Sequence, residues 1–198
     1  MARPRSEDAR RRVLDATVEA LLAGGVEGST IEDIADRSGV AKSTIYRHFG
    51  GRDALLIEAV KSCITQAPTP DSGSLAEDLE ELFSRYDQDD NRQINALIPL
   101  LLDERRRDPA MQIAVDVVLT ERQRPLRTVL QLAHFRGEID PALDLDVALA
   151  MLIGPLTYRR MVQDQEITED FIATVLPGAI AALRSTAPVE RSRSASPS

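Results

Sequence analysis

The chain has 198 residues, 43% of them hydrophobic, which is enough to fill one large core or two small ones. Its formal charge of −8 excludes a uniformly basic coat for a polyanion, so any nucleic-acid surface has to be local. The longest apolar run, Val147 to Leu156, spans ten residues against the roughly 20 of a membrane helix, and Cys63 alone forms no intrachain disulfide.

Taken from the N-terminus, "MARPRSEDARRR" lacks the apolar core of a secretory signal, so a soluble, cytoplasmic protein is expected. Ser6 is a good N-cap, and Val13, Leu14, Thr17, Val18, Leu21 and Leu22 follow at helical spacing until Gly24 and Gly25 stop the first helix. Thr30 caps a second helix in a variant capping box with Asp33, and Gly39 ends it. A third helix runs from about Lys42 to Phe49, with Ile45 and Phe49 on one face. Gly50 and Gly51 break it, and Asp53 is the expected cap of a fourth.

"TQAPTPDSGS", Thr65 to Ser74, has the composition of a linker. A fifth helix follows, with an apolar stripe at Leu75, Leu79, Leu82, Phe83 and Tyr86. Further helices are expected over about 92–107, from Pro109 to about Phe135, over about 144–164 and over about 168–184. The Ser/Pro-rich end, residues 187–198, reads as a disordered tail. The fold class is therefore all-α, with about nine helices. A helix-turn-helix domain with its connecting helix occupies residues 1–65, and a larger helical domain occupies residues 66–186.

Charge is uneven along this plan. Residues 1–53 balance nine basic against nine acidic side chains, yet Lys42, Arg47, His48 and Arg52 fall within eleven residues that hold no acid. Two short helices meeting at a glycine form a helix-turn-helix. With Ile45 and Phe49 anchoring the third helix, Lys42, Ser43, Thr44, Tyr46, Arg47 and His48 face away. They are the donors and cations that phosphates and major-groove edges require. The plainer reading is a solvated face for the basic residues, packing for Tyr46 and a structural cap for His48. Arg3, Arg5 and Arg10 to Arg12 likewise read either as a phosphate-tracking arm or as solvated charge.

The run "STIEDIADRSGVAKSTIYRHFGGRDALL", Ser29 to Leu56, resembles the TetR family of bacterial transcription regulators. The resemblance covers about residues 10–60 at motif level. It implies DNA contacts from Thr30, from Lys42, Ser43, Thr44, Tyr46, Arg47 and His48, and from Arg52. It also implies a homodimer paired through the last two long helices. The ten-residue apolar run fits, because a helix apolar on every face is buried on more than one side. Ala148, Leu152, Leu156, Phe171, Val175 and Ile180 are the candidate dimer interface, with purely intrachain packing as the alternative. The family's ligand pocket would be lined by Phe83, Tyr86, Leu97, Leu101, Val115 and Leu119, each of which also reads as ordinary core. No buried cation or acid announces a charge on the ligand, so an apolar effector is expected.

Enzyme signatures are missing. His48 and His134 have no metal-ligand spacing, no Gly-rich phosphate loop is found, and Cys63 reads as a packed side chain, so no catalytic residue, metal or cofactor is expected. The expected function is a DNA-binding transcription regulator, a repressor that binds a near-palindromic double-stranded operator as a dimer and is released by a small molecule. The rival reading is a helical carrier or enzyme with an incidental N-terminal motif.

Overall fold

The computed structural model describes residues 3–64, 68–86, 89–107 and 109–184, except the side chains of residues 3–5, 89–92, 109–111 and 114. The tail beyond residue 184 and part of the Thr65–Ser74 linker lie outside the described residues. The described residues form helices and connections with no strand.

The N-terminal helices follow their local signals. α1 (Arg3–Gly28) is interrupted at Gly25, whose φ of 66° is left-handed. It begins before the Ser6 expected as its cap. α2 (Ile31–Ser38) starts at Thr30, whose hydroxyl accepts from the Asp33 amide at 3.1 Å. It ends where Gly39, at φ 65°, returns its N–H to the Ala35 carbonyl. α3 (Lys42–Phe49) closes at Gly50, φ 79°, in the same way. α4 (Arg52–Ser62) begins two residues earlier than a cap at Asp53 requires. Gly51 is its N-cap, and Asp53 sits in the first turn, where its charge suits the helix dipole.

The remaining helices are α5 (Leu75–Ser84), α6 (Asp89–Arg107), α7 (Pro109–Phe135), α8 (Leu145–Met161) and α9 (Glu169–Leu183). Asp144 caps α8 by accepting from the Asp146 and Val147 amides, and Thr168 caps α9 by accepting from Phe171 N–H. α8 stops three residues short of Asp164, whose φ of 51° is left-handed and cannot continue a helix. No helix among the described residues is long and apolar enough to cross a membrane.

Packing groups these helices into two units. The first comprises residues 1–69 and 81–125. One of its cores joins Val13, Ala16 and Ala20 of α1 to Ile31 and Ile34 of α2, Ile45 and Phe49 of α3, and Leu55 of α4. A second joins Val18, Leu21, Leu56, Val60 and Cys63 to Ile94, Leu97 and Leu101 of α6 and Val115 and Val118 of α7. α6 and the first part of α7 thus pack directly on α1 and α4. The second unit comprises residues 70–80 and 126–198. Its buried side chains include Leu75, Leu79, Val129, Leu130, Ala148, Leu152, Ile172, Leu176 and Ile180.

A charged cluster fixes the entry of α5 in that second unit. Arg136 reaches Asp78, which is fully buried, at 3.3 Å and Glu138 at 2.7 Å. Asp78 accepts the Ser72 amide and Glu138 the Leu75 amide. Burial pushes the Glu138 carboxyl up. The Leu75 N–H, Arg136 and Arg184 together outweigh it and hold the group below its ordinary value.

Candidate nucleic-acid interface

The α2–α3 pair presents one polar face because its apolar residues are used up by its core. Ile45 and Phe49 are buried, and with them the inner side of α3. Lys42, Ser43, Tyr46, Arg47 and His48 are exposed, and Thr44 is partly buried. Tyr46 keeps 52% of its surface open to solvent, a large figure for an aromatic ring that has a core available. Thr30 is also exposed, at the N-terminus of α2 where free backbone amides favour a phosphate.

Electrostatics inside this face are not uniform. The Lys42 ammonium lies 2.6 Å from Glu32 of α2. The hydrogen bond to Lys42 holds the Glu32 carboxyl below its ordinary value, and the same bond raises the ammonium. Arg37 is tied to Asp33 within α2 at 2.7 Å.

Arg52 occupies a different environment from the other basic residues. Its Nε donates to the Ser29 carbonyl at 2.9 Å, and an Nη donates to the Val26 carbonyl. The Val26 carbonyl lies at the end of α1 and the Ser29 carbonyl in the turn that follows, just before Thr30. The guanidinium therefore locks the N-terminus of α4 to the chain that delivers the N-cap of α2.

The N-terminal arginines are employed structurally as well. Arg10 pairs with Glu58 at 2.7 Å and lies over the Phe49 ring, 5.1 Å from its centroid. Arg12 donates to the Ser38 carbonyl at 3.2 Å, and Arg11 pairs with Asp8. Arg10 and Arg12 staple α1 to α2, α3 and α4, whereas Arg11 is a solvated charge paired within α1. Arg3 and Arg5 lie outside the described side chains.

The residues named for a ligand pocket fall in the first unit. Leu97, Leu101 and Val115 belong to its second core, with Leu119 packed against it; Phe83 is buried and Tyr86 partly buried. Beside them lies a charge that the sequence did not single out. Arg122 of α7 is partly buried and donates to Asn95 Oδ1 of α6 at 3.1 Å. Burial pushes its guanidinium below the ordinary arginine value. The sequence hid this residue because one arginine on a long helix looks like any other. Cys63 is a packed thiol, with Sγ 3.4 Å from the Ala59 carbonyl, and burial pushes it up.

The six residues named for a dimer interface separate into two groups. Ala148, Leu152, Leu156 and Ile180 are buried within their own chain, so they hold α8 and α9 in the protomer. Phe171 and Val175 are partly buried, and Arg159 stacks on Phe171 at 4.3 Å. The opposite face of α8 carries Val147, Met151, Gly154, Tyr158 and Met161. Of these, Val147 is 50% and Tyr158 56% exposed. Exposed Gly178 and Ala182 continue a matching stripe from Phe171 and Val175 on α9.

Comparison with known proteins agrees with this geometry. Residues 13–59 match the family model of bacterial regulatory proteins of the tetR family. Residues 69–177 match that of the tetracyclin repressor-like C-terminal domain. The chain is 24% identical to the uncharacterized HTH-type transcriptional regulator YdeS of Bacillus subtilis, over 95% of this chain and 96% of that one. It is 29% identical to the HTH-type transcriptional repressor KstR of Rhodococcus jostii, over 84% of this chain and 66% of that one. A solved chain described as a TetR-family transcriptional regulator from Rhodococcus sp. superposes with a TM-score of 0.72 at 23% identity, covering 90% of this chain and all of that one. Another, from Mesorhizobium loti, gives 0.63 at 20% identity, covering 90% of this chain and 96% of that one. At such identities the superpositions establish the fold.

Proposed function

Because the chain belongs to the TetR family of bacterial regulatory proteins and is a DNA-binding transcription regulator, we propose that it is a repressor, working as a homodimer on a near-palindromic operator and released by a small molecule. The observation that carries the DNA-reading role is the division of α3. Ile45 and Phe49 are buried while Lys42, Ser43, Tyr46, Arg47 and His48 are presented outward.

In this reading α3 enters the major groove. Arg47 and Lys42 supply charge-assisted contacts, Tyr46 and His48 supply directional ones, and Ser43 and Thr44 fit beside the backbone. Thr30 offers the amides of the α2 N-terminus to a phosphate. Arg52 serves the same surface from behind by holding the Val26–Ser29 turn. Two copies of α3 must reach successive major grooves about 34–36 Å apart, which a dimer fixes. The exposed stripes of α8 and α9 are the surface offered for that pairing.

Release follows if an effector prefers a dimer in which the two copies of α3 no longer match this spacing. The second core of the first unit supports such coupling, because Leu97, Leu101 and Val115 pack against the same α1 and α4 that carry the reading helices. In-vitro selection from random duplexes, followed by titration of the recovered site, tests the proposal. An Arg47→Ala variant should bind that site more weakly, with a salt dependence shallower by about one unit of slope for a pure phosphate contact. Recovery of no enriched sequence, or identical curves for the two proteins, would refute it.

A further inference from the structure

Most arginines of α6 and α7 with described side chains face a carboxylate. Arg105 lies 2.6 Å from Asp116, Arg107 2.8 Å from Asp103 and Arg124 3.6 Å from Glu121. Arg122 is different. Its contact is the neutral side-chain oxygen of Asn95 at 3.1 Å, and Asn95 in turn donates to the Tyr86 carbonyl at 2.8 Å. Among the described residues no acid pairs with it, and the nearest acids along α7, Asp116 and Glu121, are already held.

A guanidinium stays cationic at any physiological pH, so it does not escape this environment by losing its proton. It has five N–H donors, and Asn95 occupies one. Beside Asn95 and Tyr86, its neighbours along the helices are apolar: Leu119 stands three residues before it on α7, Ile98 three after Asn95 on α6, and both are partly buried against the second core. Among the described residues this partly buried cation lacks the counter-ion that charges withdrawn from water normally keep. Its planar fork suits two parallel bonds to a carboxylate, and the flanking side chains suit a hydrocarbon.

We propose that Arg122, braced by Asn95, receives the anionic head of an amphipathic effector: a carboxylate carried on an apolar body. This deepens the effector-released reading above and rests on it for the consequence at the operator, though not for the binding itself. The effector is then greasy along most of its length, as the lining residues require, with a negative end that the sequence did not announce.

The test uses the full chain without DNA. Thermal melting is followed with millimolar decanoate and 4-phenylbutyrate, each beside its uncharged primary amide. The acids should raise the wild-type melting temperature further than the amides. Arg122→Gln keeps a donor for Asn95 and removes the charge, so it should erase the difference between acid and amide. It should also raise the ligand-free melting temperature, by about 2–4 °C for a chain of this size. Arg122→Lys should retain part of the acid preference. Equal shifts for acid and amide in the wild type, an acid preference that survives Arg122→Gln, or a fall in the ligand-free melting temperature of that variant each overturn the proposal. A parallel titration of the selected operator separates the two readings. Operator binding with no acid preference sinks the Arg122 site alone, whereas acid preference with no operator binding sinks the regulator's mechanism and leaves the site standing.

Discussion

Lys42 reaches any phosphate in competition with Glu32, which already holds it at 2.6 Å. Both side chains are exposed, so the bond is screened and exchangeable and adds little to the fold. Glu32→Gln should therefore raise operator affinity, by roughly two- to fivefold, since it frees the ammonium and removes a negative charge facing DNA. Fluorescence anisotropy on a labelled operator measures this, and unchanged affinity would mean that Lys42 does not reach the duplex. Arg52 and Arg47 should separate in the opposite way. Arg47→Ala should cost affinity at unchanged stability. Arg52→Ala should cost both, about 1–2 kcal/mol of stability, because the carbonyls of Val26 and Ser29 lose a charged donor. Melting curves beside the titrations distinguish the two variants. The exposed face of α3 was legible in the sequence, because Ile45 and Phe49 declare which side is buried. The engagement of Arg52 was not, since its acceptors are main-chain atoms more than twenty residues away.

At the level of helices, the sequence predicts α8 to be buried on more than one side, and it does not predict its orientation. A helix apolar all round gives no moment to say which face meets its own core. The structure settles this: Leu152 and Ala148 face inward, while Gly154 is exposed with nothing within 4 Å of a Cβ built on it. Gly154→Glu should accordingly leave helix content intact, even favouring the helix by about 0.5 kcal/mol, while shifting sedimentation from dimer to monomer. Leu152→Arg should instead collapse the protomer, at a cost of about 3–5 kcal/mol, because an unpaired charge is buried. A dimer that tolerates Gly154→Glu would move the interface off these helices. The Glu138 cluster at the start of α5 has its own signature in acid. Its folded-state pKa is depressed, so its stabilisation is complete above the ordinary carboxylate value and is lost as pH falls through the lower folded value. Glu138→Gln should lower stability at neutral pH and flatten the loss of stability below about pH 4.5. Urea unfolding at a series of pH values reads both effects.

Across the whole molecule, local signals mark the helices, and packing adds a grouping that they do not carry. Thr30, Gly39, Gly50, Asp144 and Thr168 are punctuation that acts within four residues, so the bounds of α2, α3, α8 and α9 follow closely from them. Grouping depends on contacts distant in sequence, such as Leu21 with Leu97 and Val115 in one core. The Pro/Ser-rich linker suggested a boundary near residue 65, whereas packing carries the first unit on through residues 81–125. A fragment ending at residue 68 should lose the partners that bury Val18, Leu21, Leu56 and Val60. Its melting should be broad and non-cooperative, with dye-binding apolar surface, while the full chain melts sharply. A fragment as cooperative as the full chain would show that the first core alone sustains these helices.

The shared core has a consequence for the exchange of parts between regulators. A recombinant graft cut at the linker would carry α1 to α4 into a host whose sixth and seventh helices were shaped for other neighbours. Val18, Leu21, Leu56 and Val60 would then meet a surface of the wrong relief, and a new sensory half would come with a misfitted reading head. Swapping specificity in this protein is safer at a finer grain. The outward residues of α3 are separated from the shared core by Ile45 and Phe49, so they are replaceable letters on a fixed stem. On the proposed reading, operator preference is free to drift quickly in a lineage of such genes, while the side chains of the shared core are bound to change together.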